Sequence, residues 1–441
     1  MKKGILTTLV LFSLLSIASF AQQWVNQGAW PDATVRGQLH GVTVDPDGKV
    51  WAGNFGTEKI LPVGSSDSIV VNQIRVYNAD GSPASFSPIW KVVGNGINDT
   101  LKATNVRGLR TDNNGNILLV LGNKKMYRFN YQTGAGMNKV DLAVANGGTY
   151  TSPTAPAVSN DGKIFVGPVV NAGYPIMEFD TDFNKVGEVT PAFTISGFSR
   201  TLECSADGNT VYFPIYDRKF TMIYQRPDEL SSFDSVGVLF TGTSCESMGF
   251  QDAAKTKLWF SAGSFFAAPN GVPDSPWVAN NWYKYDVTSG NVDMVNTIQW
   301  SFNVPNSENE RPRGIAFSPD GNSAYVGVFG QASDLVQKIT NDGSGVDENG
   351  QSVVDGYKLS QNFPNPFNPT TKINFELRES GFATLKVYDM LGNEVATLIQ
   401  NELTSGAHSV NFSASNIASG TYFYQLNVNG TRITNKMVVL K

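Results

Sequence analysis

Six polar residues recur at one point of a repeated segment: His40, Arg107, Thr154, Arg200, Ser247 and Arg313 each stand just before a short apolar run. Three are arginines, and a guanidinium is a planar fork of donors suited to paired contact with a carboxylate or other oxyanion. Gathered round one axis within low-dielectric walls, such groups would focus positive potential and attract an anion. Glu203 and Glu246 lie near the same register, and Glu308 and Glu310 lie close to Arg313 in the chain. These acids could neutralise the arginines in a structural network, or act as acid or base toward an anionic substrate.

Other chemistry has little to draw on. The chain has two histidines, His40 and His408, so a Ser-His-Asp or His-metal site would rest on His40 alone. No G-x-S-x-G nucleophile motif stands between a strand and a helix. Asp45-Pro46-Asp47-Gly48 looks like the start of a calcium loop but lacks the later acidic ligand, and the same turn recurs with Asn and Ser, so turn chemistry accounts for it. No metal and no cofactor is expected.

A second candidate is the insert SFFAAPNGVPDSPWVANNWY at 264–283, which sets Phe265, Phe266, Trp277 and Trp282 in a Pro/Gly-rich stretch. Exposed, these rings would contact carbohydrate or peptide; folded back, they would bury one another.

The elements that must position these residues are hairpins. GVTVDPDGKVWAG (41–53), GLRTDNNGNILLV (108–120), APAVSNDGKIFVG (155–167), TLECSADGNTVYF (201–213), MGFQDAAKTKLWF (248–260) and GIAFSPDGNSAYVG (314–327) share two alternating runs around a tight turn. Asp-Gly or Asn-Gly supplies the positive φ that such turns require, and only the fifth repeat lacks the Gly. Further strand-like runs follow most hairpins, at 125–134, 176–183, 221–227, 282–290 and 335–340. The repeats start 67, 47, 46, 47 and 66 residues apart, and a four-stranded propeller blade needs about 40 to 50. A six-bladed β-propeller is the reading, with 23–37 pairing onto the last blade; a seventh blade within 54–106 is the competing one. The turns and spacing over 40–340 loosely resemble the NHL and gluconolactonase-like propellers. Hydrolytic members of that group would imply a divalent cation held by Glu, Asn and Asp, whereas arginines stand at this ring.

Both ends of the chain carry addresses. Lys2 and Lys3, the apolar run 4–18 and Ser19-Phe20-Ala21 read as a signal peptide over 1–21, and no later run is apolar and long enough to span a membrane. After a small, polar linker at 341–356, six strand-like segments in about eighty residues predict a small immunoglobulin-like β-sandwich. Asn362-Phe363-Pro364-Asn365-Pro366-Phe367-Asn368-Pro369, the segment VYDMLGNEV, the run Ser419–Tyr424 and the closing Lys436-Met437 and Lys441 resemble, in order, the type IX secretion sorting domain. That resemblance implies transit through the periplasm, recognition by the type IX secretion machinery, and removal of the domain or its exchange for a lipopolysaccharide anchor.

The formal charge is −5, although residues 358–441 hold seven Lys/Arg against five Asp/Glu, so the acidity belongs to the large domain. An acidic surface without a basic cluster repels phosphate backbones, and nucleic acid is not an expected partner. Cys204 and Cys245 are read as two buried free thiols, because adjacent blades would hold them at different heights.

The whole reading is all-β: signal peptide 1–21, propeller 22–340, linker 341–356 and sorting domain 357–441. The function expected is binding of a carbohydrate, peptide or small anionic ligand by a secreted or outer-membrane surface-attached protein, through His40, Arg107, Arg200, Glu203, Glu246, Arg313, Trp277 and Trp282. The alternative is a hydrolase or lyase at the same mouth, acting on an anionic carbohydrate-like substrate.

Overall fold

The computed structural model describes residues 24–32, 38–102, 104–171, 173–190, 196–264, 272–300, 310–330, 336–341, 358–359, 362, 364–377, 380–390, 393–404, 406–428 and 431–440. The signal peptide, the linker from 342 onward, Phe265, Phe266 and Glu308 lie outside them.

All six repeats form antiparallel hairpins, each opening a sheet. The first sheet joins Leu39–Val44, Val50–Asn54 and Ile74–Tyr77; the second joins Val106–Thr111, Ile117–Leu121, Lys125–Phe129 and Gly136–Asp141. The third runs from Ala157–Val158 out to Lys185–Thr190, the fourth from Glu203–Cys204 to Asp234–Leu239, and the fifth from Met248–Phe250 to Asn291–Gln299. The sixth takes Arg311–Phe317, Ser323–Phe329 and Val336–Asn341, and its outer place is filled by the early strand Trp24–Trp30, paired Trp24 to Asn341. The end segment thus closes onto the last sheet as expected. The interval 54–106 supplies the third strand of the first sheet and two ribbons, Glu58–Ile60 with Ile69–Val71 and Lys91–Gly94 with Ile97–Thr100.

Turn chemistry is local and repeats. Asp45 Oδ1 accepts from the N–H groups of Asp47 and Lys49 at 3.0 and 2.9 Å, while Gly48 closes the turn at φ +81°. Asp112 does the same for Asn114 and Asn116, and Ser159, Ser205 and Ser318 accept at the equivalent place in their repeats.

Apolar clusters lie between consecutive sheets, from Trp51, Leu119 and Tyr127 between the first and second to Val42, Tyr77 and Tyr325 between the sixth and first. The inner strands crowd at the axis: a Cβ on Gly108 would stand 2.2 Å from that of Ala155, and one on Gly41 would stand 2.8 Å from Leu109 N. Small residues at the start of the inner strands are therefore a packing requirement.

The C-terminal part has a separate core, including Phe375, Leu385, Tyr424 and Met437, between a sheet of Lys358–Leu359, Thr370–Leu377 and Gly406–Ser413 and one of Glu394–Leu403, Gly381–Tyr388, Gly420–Val428 and Thr431–Val439. Its Pro-Asn-Pro-Phe opening is tied to the last strand. Phe367 is buried and exchanges backbone hydrogen bonds with Val438 and Leu440, and Asn365 Oδ1 accepts from Val438 N at 2.7 Å.

Both cysteines are buried and free, and burial pushes the Cys204 thiol up to about 11 and the Cys245 thiol up to about 12. His408 packs against Phe375, with Nε2 2.8 Å from Thr404 O.

Candidate functional site at the channel mouth

Inner strands that start at equal height bring their leading residues to one place. His40, Arg107, Arg200, Ser247, Arg313 and the neighbouring Glu246 line a single small, partly open cavity at the axis. Thr154 is turned away, its hydroxyl accepting from Gly167 N at 3.0 Å inside its own sheet. The arginines come from the second, fourth and sixth sheets, alternating with His40, Thr154 and Ser247 from the first, third and fifth.

The charges are unevenly matched. Arg313 Nη1 lies 2.6 Å from Glu246 Oε2, and both side chains are buried. Arg107 and Arg200 have no carboxylate partner among the described residues; Arg200 Nη2 donates to the Tyr216 hydroxyl at 3.3 Å. Burial, followed by the charge of Arg200, brings Arg107 down to about 10. Burial, only partly offset by Glu246, brings Arg313 down to about 9. Both remain charged at neutral pH. His40 is held well below its ordinary value, first by burial and then by Arg313, Arg107 and Arg200, so it is a neutral imidazole with Nδ1 3.2 Å from Arg107 O.

An aromatic tier supports the guanidinium groups. Arg107 lies 5.3 Å over Phe55, Arg200 5.4 Å over Tyr216 and Arg313 5.3 Å over Phe329, while His40 sits between Phe55 and Phe329. Sequence reasoning missed these rings. Their signal is spacing, since Phe55 follows Gly53-Asn54 as Phe329 follows Gly327-Val328.

Glu203 does not itself line the cavity. It is buried, with Oε1 2.7 Å from Arg110 Nη2, and Arg110, which does line the cavity, also donates to Met248 O. The fifth repeat's aberrant turn reaches across to neighbouring sheets. Lys255 occupies the glycine position at φ +53° and donates to Val158 O and Cys204 O, while Asn160 Nδ2 donates to Ala253 O at 2.8 Å. A turn of the fifth sheet thus bridges to the third and fourth.

The two tryptophans do not join this site. Trp282 is fully buried against Trp300 at 4.9 Å, and so offers no recognition surface. Trp277 is half-buried, packs on Phe260 and Tyr283, and donates Nε1 to Thr241 O at 2.9 Å. The described part of the insert therefore folds back on its own sheet rather than extending as an exposed platform, because large rings gain more from burial than from solvent.

No described group of His, Cys, Asp and Glu has the makings of a metal site. Turn geometry, not a cation, engages Asp45, whose other oxygen accepts from Trp51 Nε1 at 3.0 Å.

Residues 361–440 match the secretion system C-terminal sorting domain. That sorting domain implies handling by a type IX secretion system, and it implies a secreted or cell-surface protein. Among the described residues no helix is long and apolar enough to cross a membrane. No curated protein matches in sequence. Among solved structures, a chain of the mitotic checkpoint complex is 12% identical, covering 77% of this chain and 96% of that one, with a TM-score of 0.42. The β-propeller domain of Cps50 (Swd1) from Myceliophteria thermophila is 11% identical over 69% of this chain and 96% of that one, with a TM-score of 0.43. PorZ, a surface component of the type-IX secretion system of Porphyromonas gingivalis, is 14% identical over 92% of this chain and 51% of that one, with a TM-score of 0.38. These scores are low, and the propeller is read from this chain's own sheets and their order. The protein is a β-propeller carrying a sorting domain.

Proposed function

We propose that the propeller binds an anionic ligand, free or displayed on a carbohydrate or surface partner, at the mouth bounded by His40, Arg107, Arg200 and Arg313. The sorting domain delivers it to the outer-membrane surface, where it stays attached or is released. The observation that carries this reading is the charge imbalance: Arg107 and Arg200 reach one cavity with no carboxylate partner among the described residues, and Glu246 answers Arg313 alone. Unpaired cations beside low-dielectric walls are costly unless a ligand supplies the counter-charge.

Catalysis has no such support. Glu246 is held by Arg313 and Glu203 by Arg110 and Lys255, so neither carboxylate is poised to move a proton.

The test is thermal unfolding of the mature chain with galacturonate or with galactose. Stabilisation by the acid alone, lost in an Arg107→Ala/Arg200→Ala variant, is the expected result. Equal response to the neutral sugar, or an acid response that survives the double substitution, would refute it.

A further inference from the structure

The mouth has more unmet donors than one carboxylate can answer. The Nε groups of Arg107, Arg200 and Arg313 are all buried without a hydrogen-bond partner among the described residues, and so is the Ser247 hydroxyl. All four residues line the same cavity. Glu246 engages Nη1 of Arg313 and leaves its Nε.

Their arrangement is as informative as their number. The arginines occupy the same register on every second sheet, so they approach the axis from three sides. Each guanidinium lies against a ring, Phe55, Tyr216 or Phe329, which restricts how its plane can turn. A carboxylate is planar and presents two oxygens, enough for one fork. A tetrahedral oxyanion on the axis presents three oxygens to three forks and directs its fourth bond out of the mouth. Among the described residues two guanidiniums have no carboxylate, which leaves a charge of two to be answered.

We infer that the anion taken at this mouth is tetrahedral, a sulfate or phosphate group, seated between Arg107, Arg200 and Arg313 with Ser247 as an added donor. This rests on the anion-binding reading and specifies its chemistry. An ester would enter with its oxyanion inward and its carbon skeleton at the rim. There Phe198, 42% exposed and packed on Tyr216, offers an apolar face beside Arg200.

The experiment is isothermal titration of the mature chain, at fixed ionic strength, with sodium sulfate, sodium phosphate, galactose 6-sulfate, glucose 6-phosphate and galacturonate. The tetrahedral anions are expected to bind about tenfold or more tighter than galacturonate, since three forks are used in place of one. Arg200→Lys keeps the charge, removes the fork, and should erase that preference; Ser247→Ala should narrow it while leaving galacturonate unchanged. If esters bind and free ions do not, the ligand is an ester; if both bind, the oxyanion alone suffices, and either result upholds the inference. Galacturonate binding as tightly as the tetrahedral anions overturns the inference and leaves the anion site standing. No binding by any probe overturns both.

Discussion

Arg313 Nη1 stands 2.6 Å from Glu246 Oε2, a buried pair joining the sixth sheet to the fifth at the edge of a mouth whose other two arginines have no such partner among the described residues. Attraction inside a low-dielectric wall holds the pair, and desolvation makes either member costly alone.

Glu246→Gln should separate stability from affinity. Removing the charge strands Arg313 and is expected to lower unfolding stability by about 3 kcal/mol. It also releases Nη1 of Arg313 and removes a nearby negative charge, so anion affinity should rise. Urea unfolding and titration on the same variant check both signs; a parallel loss of both would mean that Glu246 only supports the fold.

His40 should set an acid limit on stability. Its folded value is depressed, so it is neutral in the folded protein, and its contribution is full above the unfolded value of 6.5. As pH falls below that value the unfolded chain takes up the proton first, and stability falls toward the lowered folded value. His40→Gln is expected to flatten the stability profile between about pH 7.5 and pH 5.5, roughly one unit either side of an ordinary histidine. Bound anion should flatten it as well, by answering Arg313, Arg107 and Arg200.

Lys255 gives a test of the bridging turn. Lys255→Ala loses the bonds to Val158 O and Cys204 O and keeps an unfavourable positive φ, whereas Lys255→Gly loses the bonds but relieves the φ. The Ala variant should be the less stable of the two by about 1 kcal/mol, read from urea midpoints.

Gly108→Ala should destabilise by about 1–3 kcal/mol, because its new methyl would meet Ala155 at 2.2 Å from the next sheet. Gly147→Ala serves as the comparison. It has a positive φ and no atom within 4 Å of an added Cβ, so it isolates backbone strain from crowding.

The thiols should be silent in the native state. Burial raises Cys204 to about 11 and Cys245 to about 12, so iodoacetamide at pH 8 is expected to label neither until denaturant is added, as mass spectrometry would report.

Much of this was legible in the chain. Each hairpin is written within about thirteen residues, since the Asp or Ser, the glycine and the alternating runs act on neighbours. That the six leading residues share a register also follows from the repeat, and five of the six do line the cavity, Thr154 being the exception. The Pro-Asn-Pro-Phe opening carried the export address on its own residue types. The sequence by itself therefore determined the strands, the repeat and the sorting domain.

What it left open are distances between residues far apart in the chain. Glu203 and Glu246 were alike as candidates, yet one pairs with Arg110 and the other with Arg313. Trp282 could have stood exposed or folded back in its Pro-rich insert, and it is packed against Trp300. Lys255 looked like a missing glycine and bridges to two other sheets. Ion pairing and burial depend on which side chains meet across sheet boundaries, and only the closed packing of one sheet on the next fixes those meetings.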